Sequence, residues 1–164
     1  MKTIKITLLL LFVSLASTMA YDTVTGKVTA VIDGNTLEVT ADNNEIHKVM
    51  LAGIDCPEIT QEFGEQARQY LEKLTLNKKV TVNFTGKDRW GNYLGIVLIK
   101  GSVDPRVDLL KEGLAWTAER NPDPEFEAHR ARAQEKGKGL WKDNNPTPPW
   151  TYRREQSMME AKSS

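Results

Sequence analysis

The stretch Val49–Glu58, VMLAGIDCPE, limits what this chain can fold into more than any other. Val49, Met50, Leu51, Ala52 and Ile54 form an apolar run of the length of a strand covered on both faces, and Gly53 marks a bend or bulge within it. Pro57 stops the strand. Asp55 and Glu58 flank the rigid Cys-Pro step, so two acids emerge together at the rim of a packed core, where a metal or a polarised water can use both. The plainer alternative is an acidic turn in which Glu58 starts a helix.

The segments around it read as a small barrel. Thr23 to Ile32 alternates as a half-buried strand with Val24, Val28, Ala30 and Ile32 as inward candidates, Asp33-Gly34 turns the chain, and Thr36 to Thr40 is a second strand. A polar turn at Asp42, Asn43 and Asn44 leads into a third, Glu45 to Ile54. After Gly64 the period changes: Ala67, Tyr70, Leu71 and Leu74 fall on one helical face. Val80 to Phe84 and Tyr93 to Ile99 are further strands, joined by a loop. Asp104-Pro105 and Asp123-Pro124 each supply an N-cap and a first helical residue, with Gly113 and Gly137 as the corresponding stops. Five strands with a helix between the third and fourth is the order of an OB-type Greek-key barrel, here with three helices: an α+β fold, mainly β.

Three parts of the chain are expected. Residues 1–20 combine Lys2 and Lys5, an apolar run from Ile6 to Leu15, and small residues through Ala20, the pattern of a secretory signal that is too short to span a membrane. Its removal takes away two of the 22 basic residues and none of the 22 acidic ones, leaving a formal charge of −2. A generic nucleic-acid coat is thereby disfavoured, while a local basic groove is not. Residues 21–142 are the folded domain. In residues 143–164, Asn144 to Pro149 read as an extended strap that folds Trp150 and Tyr152 back onto the domain, with disorder from Gln156 onward. Cys56 is the only cysteine, so no internal disulfide forms, and it reads as a small, partly buried residue rather than a reactive thiol. His47 and His129 are isolated and read as surface histidines. The expectation is a secreted monomer, periplasmic or extracellular, with no membrane attachment once the leader is gone.

IDGNTLEV, LAGIDCPE, FGEQA, DRWGN, KEGLAW and KGLW occur in the order and spacing of the staphylococcal nuclease (thermonuclease-like) domain, and from Thr23 to Trp141 the chain resembles that family. The resemblance implies the OB-type barrel and Ca²⁺-dependent hydrolysis of phosphodiester bonds in DNA and RNA. It also implies roles. Asp55 matches one of two aspartate ligands of Ca²⁺, Cys56 the residue that adds a backbone carbonyl, and Glu58 the glutamate that activates or orients the attacking water.

The other charged positions are substituted. Asn35 stands where the family has its other aspartate ligand, and Met50 and Asn92 stand where it has two phosphate-binding arginines. An arginine on phosphoryl charge is worth about 10³ to 10⁵ in rate, and neither Met nor Asn reproduces its bidentate fork. Ca²⁺ binding is therefore expected to be weak or lost, and activity strongly impaired. Arg89, Trp90 and Lys48 remain as candidates for holding single-stranded DNA or RNA weakly, the plainer reading of the two cations being solvated charges. Two alternatives stand beside the impaired nuclease: an active nuclease with a rearranged site, and a protein-interaction module on a nuclease fold.

Overall fold

A computed structural model describes residues 22–163, so the expected leader lies outside the described residues. Its centre is a closed barrel in the order β1-β2-β3-β6-β5. Strands β1 (Thr23–Val31), β2 (Thr36–Ala41) and β3 (Ile46–Leu51) form the antiparallel meander, and β5 (Lys79–Lys87) with β6 (Tyr93–Ile99) forms a hairpin. Two pairings close the ring: β1 with β5, antiparallel, and β3 with β6, parallel. The fold class is the expected one. Inward-facing Val28, Leu37, Val39, Val49, Leu51, Val80, Val82 and Val97 are almost wholly buried and form the core.

Two strands depart from the expected pattern for a local reason. In β1 a bulge between Val28 and Ala30 shifts the parity, so that Val31 packs on the core and Ile32 is exposed instead of turning inward. The expected third strand breaks in two. β3 ends at Leu51, the chain bends at Gly53 (φ 82°), and β4 (Ile54–Asp55) pairs with β7 (Trp116–Thr117) in a separate two-stranded sheet.

The helices cover one side of the barrel. Helix α1 (Gly64–Thr75) lays Ala67 and Leu71 into the core, with Tyr70 and Leu74 partly buried against it. Helices α2 (Pro105–Lys111) and α3 (Pro124–Glu135) begin as expected, with Asp104 and Asp123 accepting hydrogen bonds from first-turn N–H groups. Beyond a 3₁₀ turn at Gly139–Lys142, residues 144–148 are non-helical as expected, while Pro149–Ser163 forms helix α4, which corrects the expected disorder from Gln156 and takes Pro149 out of the strap. Pro149 is well placed as a first helical residue, and Arg153 to Lys162 contains mostly good helix formers. The folding-back was read correctly, since the Trp150 ring packs against Trp116 at 5.6 Å and the Tyr152 hydroxyl lies 3.0 Å from Thr60 Oγ1. Among the described residues, no helix is long and apolar enough to cross a membrane.

Arg106 of α2 clamps the place where the chain leaves the barrel. This largely buried guanidinium donates to the Ala52 carbonyl at 2.7 Å and to both Asp104 carboxylate oxygens, and it lies over the Phe126 ring of α3. Removing one partner of such a buried network leaves an uncompensated charge, which costs about 3–5 kcal/mol. Arg106→Ala is therefore expected to lose stability of that order in urea unfolding, against less than about 0.5 kcal/mol for a solvated cation such as Lys48→Ala.

Candidate functional site

The outer wall of the barrel is set by register. Thr36 lies opposite Met50, Glu38 opposite Lys48, and Met50 beside Leu94, so these side chains share the face that does not point into the core. From this wall the bend at Ala52 and Gly53 carries the chain outward, and the pairing of Asp55 with Trp116 places the carboxylate at the edge between barrel and helices.

Two glycines press the motifs together. A Cβ on Gly34 would lie 2.6 Å from Cys56 Cβ and 2.7 Å from Ala67 Cβ, so the Asp33-Gly34-Asn35 turn sits directly against the Asp55–Glu58 segment. The Cys56 thiol points inward, donates to the Gly34 carbonyl at 3.2 Å, and is pushed well above its usual pKa by burial and then by the charge of Asp55. It is inert packing, as its sequence context suggests. A Cβ on Gly64 would fall 1.8 Å from the Glu58 carbonyl oxygen. The first turn of α1 thereby abuts the backbone of Glu58, whose N–H donates to Gln61 Oε1.

The acid pair meets a partner from the far end of the chain. Arg153 donates from Nη1 to Asp55 Oδ1 at 3.1 Å and to Glu58 Oε1 at 2.7 Å, and from Nη2 to Asp55 Oδ2 at 2.6 Å. Burial raises the Asp55 carboxyl above its ordinary pKa, while the hydrogen bond and charge of Arg153 oppose that rise. Arg153 is held above its own ordinary value, chiefly by its bond to Asp55, and stays charged.

Asn35 is mostly buried; its N–H donates to Asp33 Oδ1 at 2.9 Å and its carbonyl accepts from Leu51 at 2.7 Å. Its backbone thus knits the turn to β3, and no hydrogen bond engages its side-chain amide among the described residues. Asn92 is spent on its own loop. Its Nδ2 donates to Asp88 Oδ2, while the N–H groups of Trp90 and Asn92 donate to Asp88 Oδ1, all at 2.9 Å. Burial pushes the Asp88 carboxyl up, and the bonds from Asn92, Trp90 and Gly91 outweigh it, leaving the group below its ordinary value.

At the loop tip, Arg89 stacks over the Trp90 ring at 3.9 Å, and Trp90 is 68% exposed. Lys48 is exposed. Among the described residues no hydrogen bond or ion pair joins Lys48 or Arg89 to Asp55 or Glu58, whose ion pairs are with Arg153. The histidines differ from the expected surface placement: only 15% of the His47 side chain and 14% of the His129 side chain are exposed, and His47 packs against Phe84 at 5.5 Å between ring centroids.

These motifs and this barrel have counterparts. A family model described as staphylococcal nuclease homologue matches residues 48–143. The chain belongs to the staphylococcal nuclease family. Among its relatives, a Haemophilus influenzae protein named "Uncharacterized endonuclease" is 35% identical over 156 residues, covering 94% of this chain and 87% of the relative. An Escherichia coli protein of the same name is 34% identical over 129 residues, covering 78% and 84%. A Shigella flexneri protein named "Micrococcal nuclease" is 32% identical over 153 residues, covering 87% of each.

A calcium ion of the kind this family implies takes six to eight oxygens, several of them anionic. The donor set here does not fit well. Among the described residues no three His, Cys, Asp or Glu side chains converge to hold a metal, Asn35 contributes no charge, and both oxygens of the Asp55 carboxylate are bonded to the Arg153 guanidinium. Sequence reasoning missed Arg153. A charge audit contained the clue, because two acids at a packed rim, with both nearby arginines replaced, need a counter-cation from elsewhere, and Arg153 directly follows the anchoring Tyr152.

Two predictions follow from this geometry. Gly64→Ala forces the Glu58 backbone to move and should cost about 1–3 kcal/mol in chemical unfolding, with the Glu58 and Gln61 amides shifting in NMR spectra. The lowered Asp88 pKa means that its turn adds stability above pH about 4 and loses it as pH falls through the folded value. Asn92→Ala should therefore flatten the acid limb of the stability profile, measured by thermal melts in steps below pH 5.

Proposed function

We propose that this protein is a secreted staphylococcal-nuclease-fold protein whose phosphodiester hydrolysis is strongly impaired and which holds single-stranded nucleic acid weakly. The observation that carries this reading is the state of the acid pair: Asp55 and Glu58 are bonded to Arg153, while the positions that match the family's two arginines in sequence hold Met50 and Asn92. Glu58 keeps the carboxylate that would orient a water. Nothing beside it clamps the phosphate, since Asn92 turns to Asp88 and Met50 lies on the barrel wall between Thr36 and Leu94. Any dependence on Ca²⁺ is correspondingly weak, because Asn35 withholds one anionic ligand. Secretion to the periplasm or the medium rests on the composition of residues 1–20.

Binding falls to the loop tip. An exposed indole with a guanidinium stacked on it offers a π-face to a base and a charge to its phosphate, a combination worth about 1–3 kcal/mol per stacked base. Lys48 supplies further charge on the barrel wall.

Cleavage of heat-denatured DNA, with and without Ca²⁺, tests the hydrolytic part. Wild type is expected to cut no faster than Glu58→Gln, whereas Asn35→Asp with Met50→Arg and Asn92→Arg should raise the rate on the order of 10³-fold, single changes doing little because metal, water and clamp act together. Wild-type cleavage matching the triple variant would replace this reading by an active nuclease with a rearranged site. In gel shifts, binding should weaken with salt and fall about tenfold or more in Trp90→Ala, and salt-independent or absent binding would leave the interaction module as the better reading.

A further inference from the structure

Arg153 is placed with unusual economy for a residue near the end of a chain. Its three bonds use both protons of Nη1 and one of Nη2 and engage both oxygens of Asp55 and one of Glu58. Asp55 is the more enclosed acid, its side chain 18% exposed against 38% for Glu58, so the bidentate fork falls where a bare charge is costliest. The helix that carries Arg153 is seated at one end only. Pro149 is buried, Trp150 packs on Trp116, Tyr152 meets Thr60, and Gln61 Nε2 donates to the Thr147 carbonyl at 2.6 Å. From Arg153 onward every described residue of α4 is exposed. Arg153 thus lies at the end of the docked turn, presented to the acids by the contacts before it and by the Arg154–Glu119 ion pair that directly follows it.

We propose that Arg153 is the resident cation of this cleft, delivered by α4 into the place between Asp55 and Glu58, where it stands instead of the divalent metal that the remaining donor set does not fit. The oxygens that a metal needs are the ones the guanidinium occupies, and two cations cannot share them without strong mutual repulsion. Asp33, whose charge also acts on Asp55, adds negative field that Arg153 offsets in place of a metal. Arg153 carries its charge throughout the ordinary pH range, so its hold on the pair does not depend on its own proton. This inference rests on reading the Asp55–Glu58 pair as the metal-facing carboxylates of the family cleft.

The test uses the full chain with Asn35→Asp, which restores the second acidic ligand, and compares it with Asn35→Asp/Arg153→Gln by calorimetric titration with Ca²⁺. The double variant should bind at least tenfold more tightly. Equal affinities would overturn the exclusion of metal by Arg153. A second measurement reads occupancy without metal: Arg153→Gln should lower the melting temperature of the wild type by about 2–4 °C but leave Asp55→Asn/Glu58→Gln unchanged. Additive melts would overturn the proposal whatever calcium does. Coupled melts with no calcium binding in either variant would keep Arg153 as the occupant of the pair and remove the reading of the pair as a metal site, so the two failures are distinguishable. Arg153→Lys, which keeps the charge and loses the fork, should recover only part of the coupling.

Discussion

The bend at Ala52–Gly53, tied down by Arg106, is the constraint on which the rest of the structure depends. Upstream of it, β3 belongs to the barrel and its register with β2 and β6 decides which side chains face the wall. Downstream, β4 belongs to the two-stranded sheet with β7, and Asp55 leaves the barrel surface altogether. One guanidinium holds the junction: it satisfies the Ala52 carbonyl, stays ionically matched to Asp104 at the N-terminus of α2, and lies over Phe126 of α3. Barrel, helices and the acidic edge therefore share a single buried polar network, which makes the placement of Asp55 a property of the whole domain and not of one loop.

Fixed backbone does not make a fixed charge state. Asp55 is held by packing in a place where burial disfavours its ionised form, and the chain supplies a compensating cation from a helix that is solvent-exposed beyond its docked first turn. An isolated surface ion pair contributes roughly 0–1 kcal/mol, but a fork on a mostly enclosed carboxylate gains more because the alternative is an unpaired buried charge. That asymmetry gives α4 a reason to dock despite the small apolar area of its first turn, and the aromatic contact of Trp150 with Trp116 sets the helix so that its fifth residue reaches the pair.

Legibility followed the type of signal. Strands, helix starts and the barrel order were readable because alternation, 3.6-residue periodicity and Asp-Pro caps are local. The β1 bulge was not, since inserting one residue changes parity without any diagnostic residue at that point, and Ile32 was misassigned as a result. The glycines of the two motifs were visible as motif letters, while their reason appears only in three dimensions, where Gly34 meets Cys56 and Ala67 and Gly64 meets the Glu58 carbonyl. Arg106 and Arg153 escaped for one reason. A charged side chain recruited across 54 or 98 positions leaves no periodic trace, and a basic residue on a helix reads by default as solvated.

The charge balance at the acidic edge bears on the two positions, Met50 and Asn92, where the family resemblance implies arginines. Asp33, Asp55 and Glu58 are three acids within mutual electrostatic reach, against which the structure sets the single guanidinium of Arg153. A phosphodiester approaching such a cleft adds a further negative charge to an environment that is already net negative, and water expelled by its approach would only strengthen the repulsion. Two arginines on the wall would reverse that sign; a thioether and an amide already bonded to Asp88 leave it as it is. The cationic and aromatic groups that remain exposed, Arg89 with Trp90 and Lys48, form no ion pair or hydrogen bond with those acids. Whatever charge attracts a polyanion is thus carried by side chains not bonded to the acidic pair, and a contact that does not bring a phosphate into register with a carboxylate supplies no orientation for its cleavage.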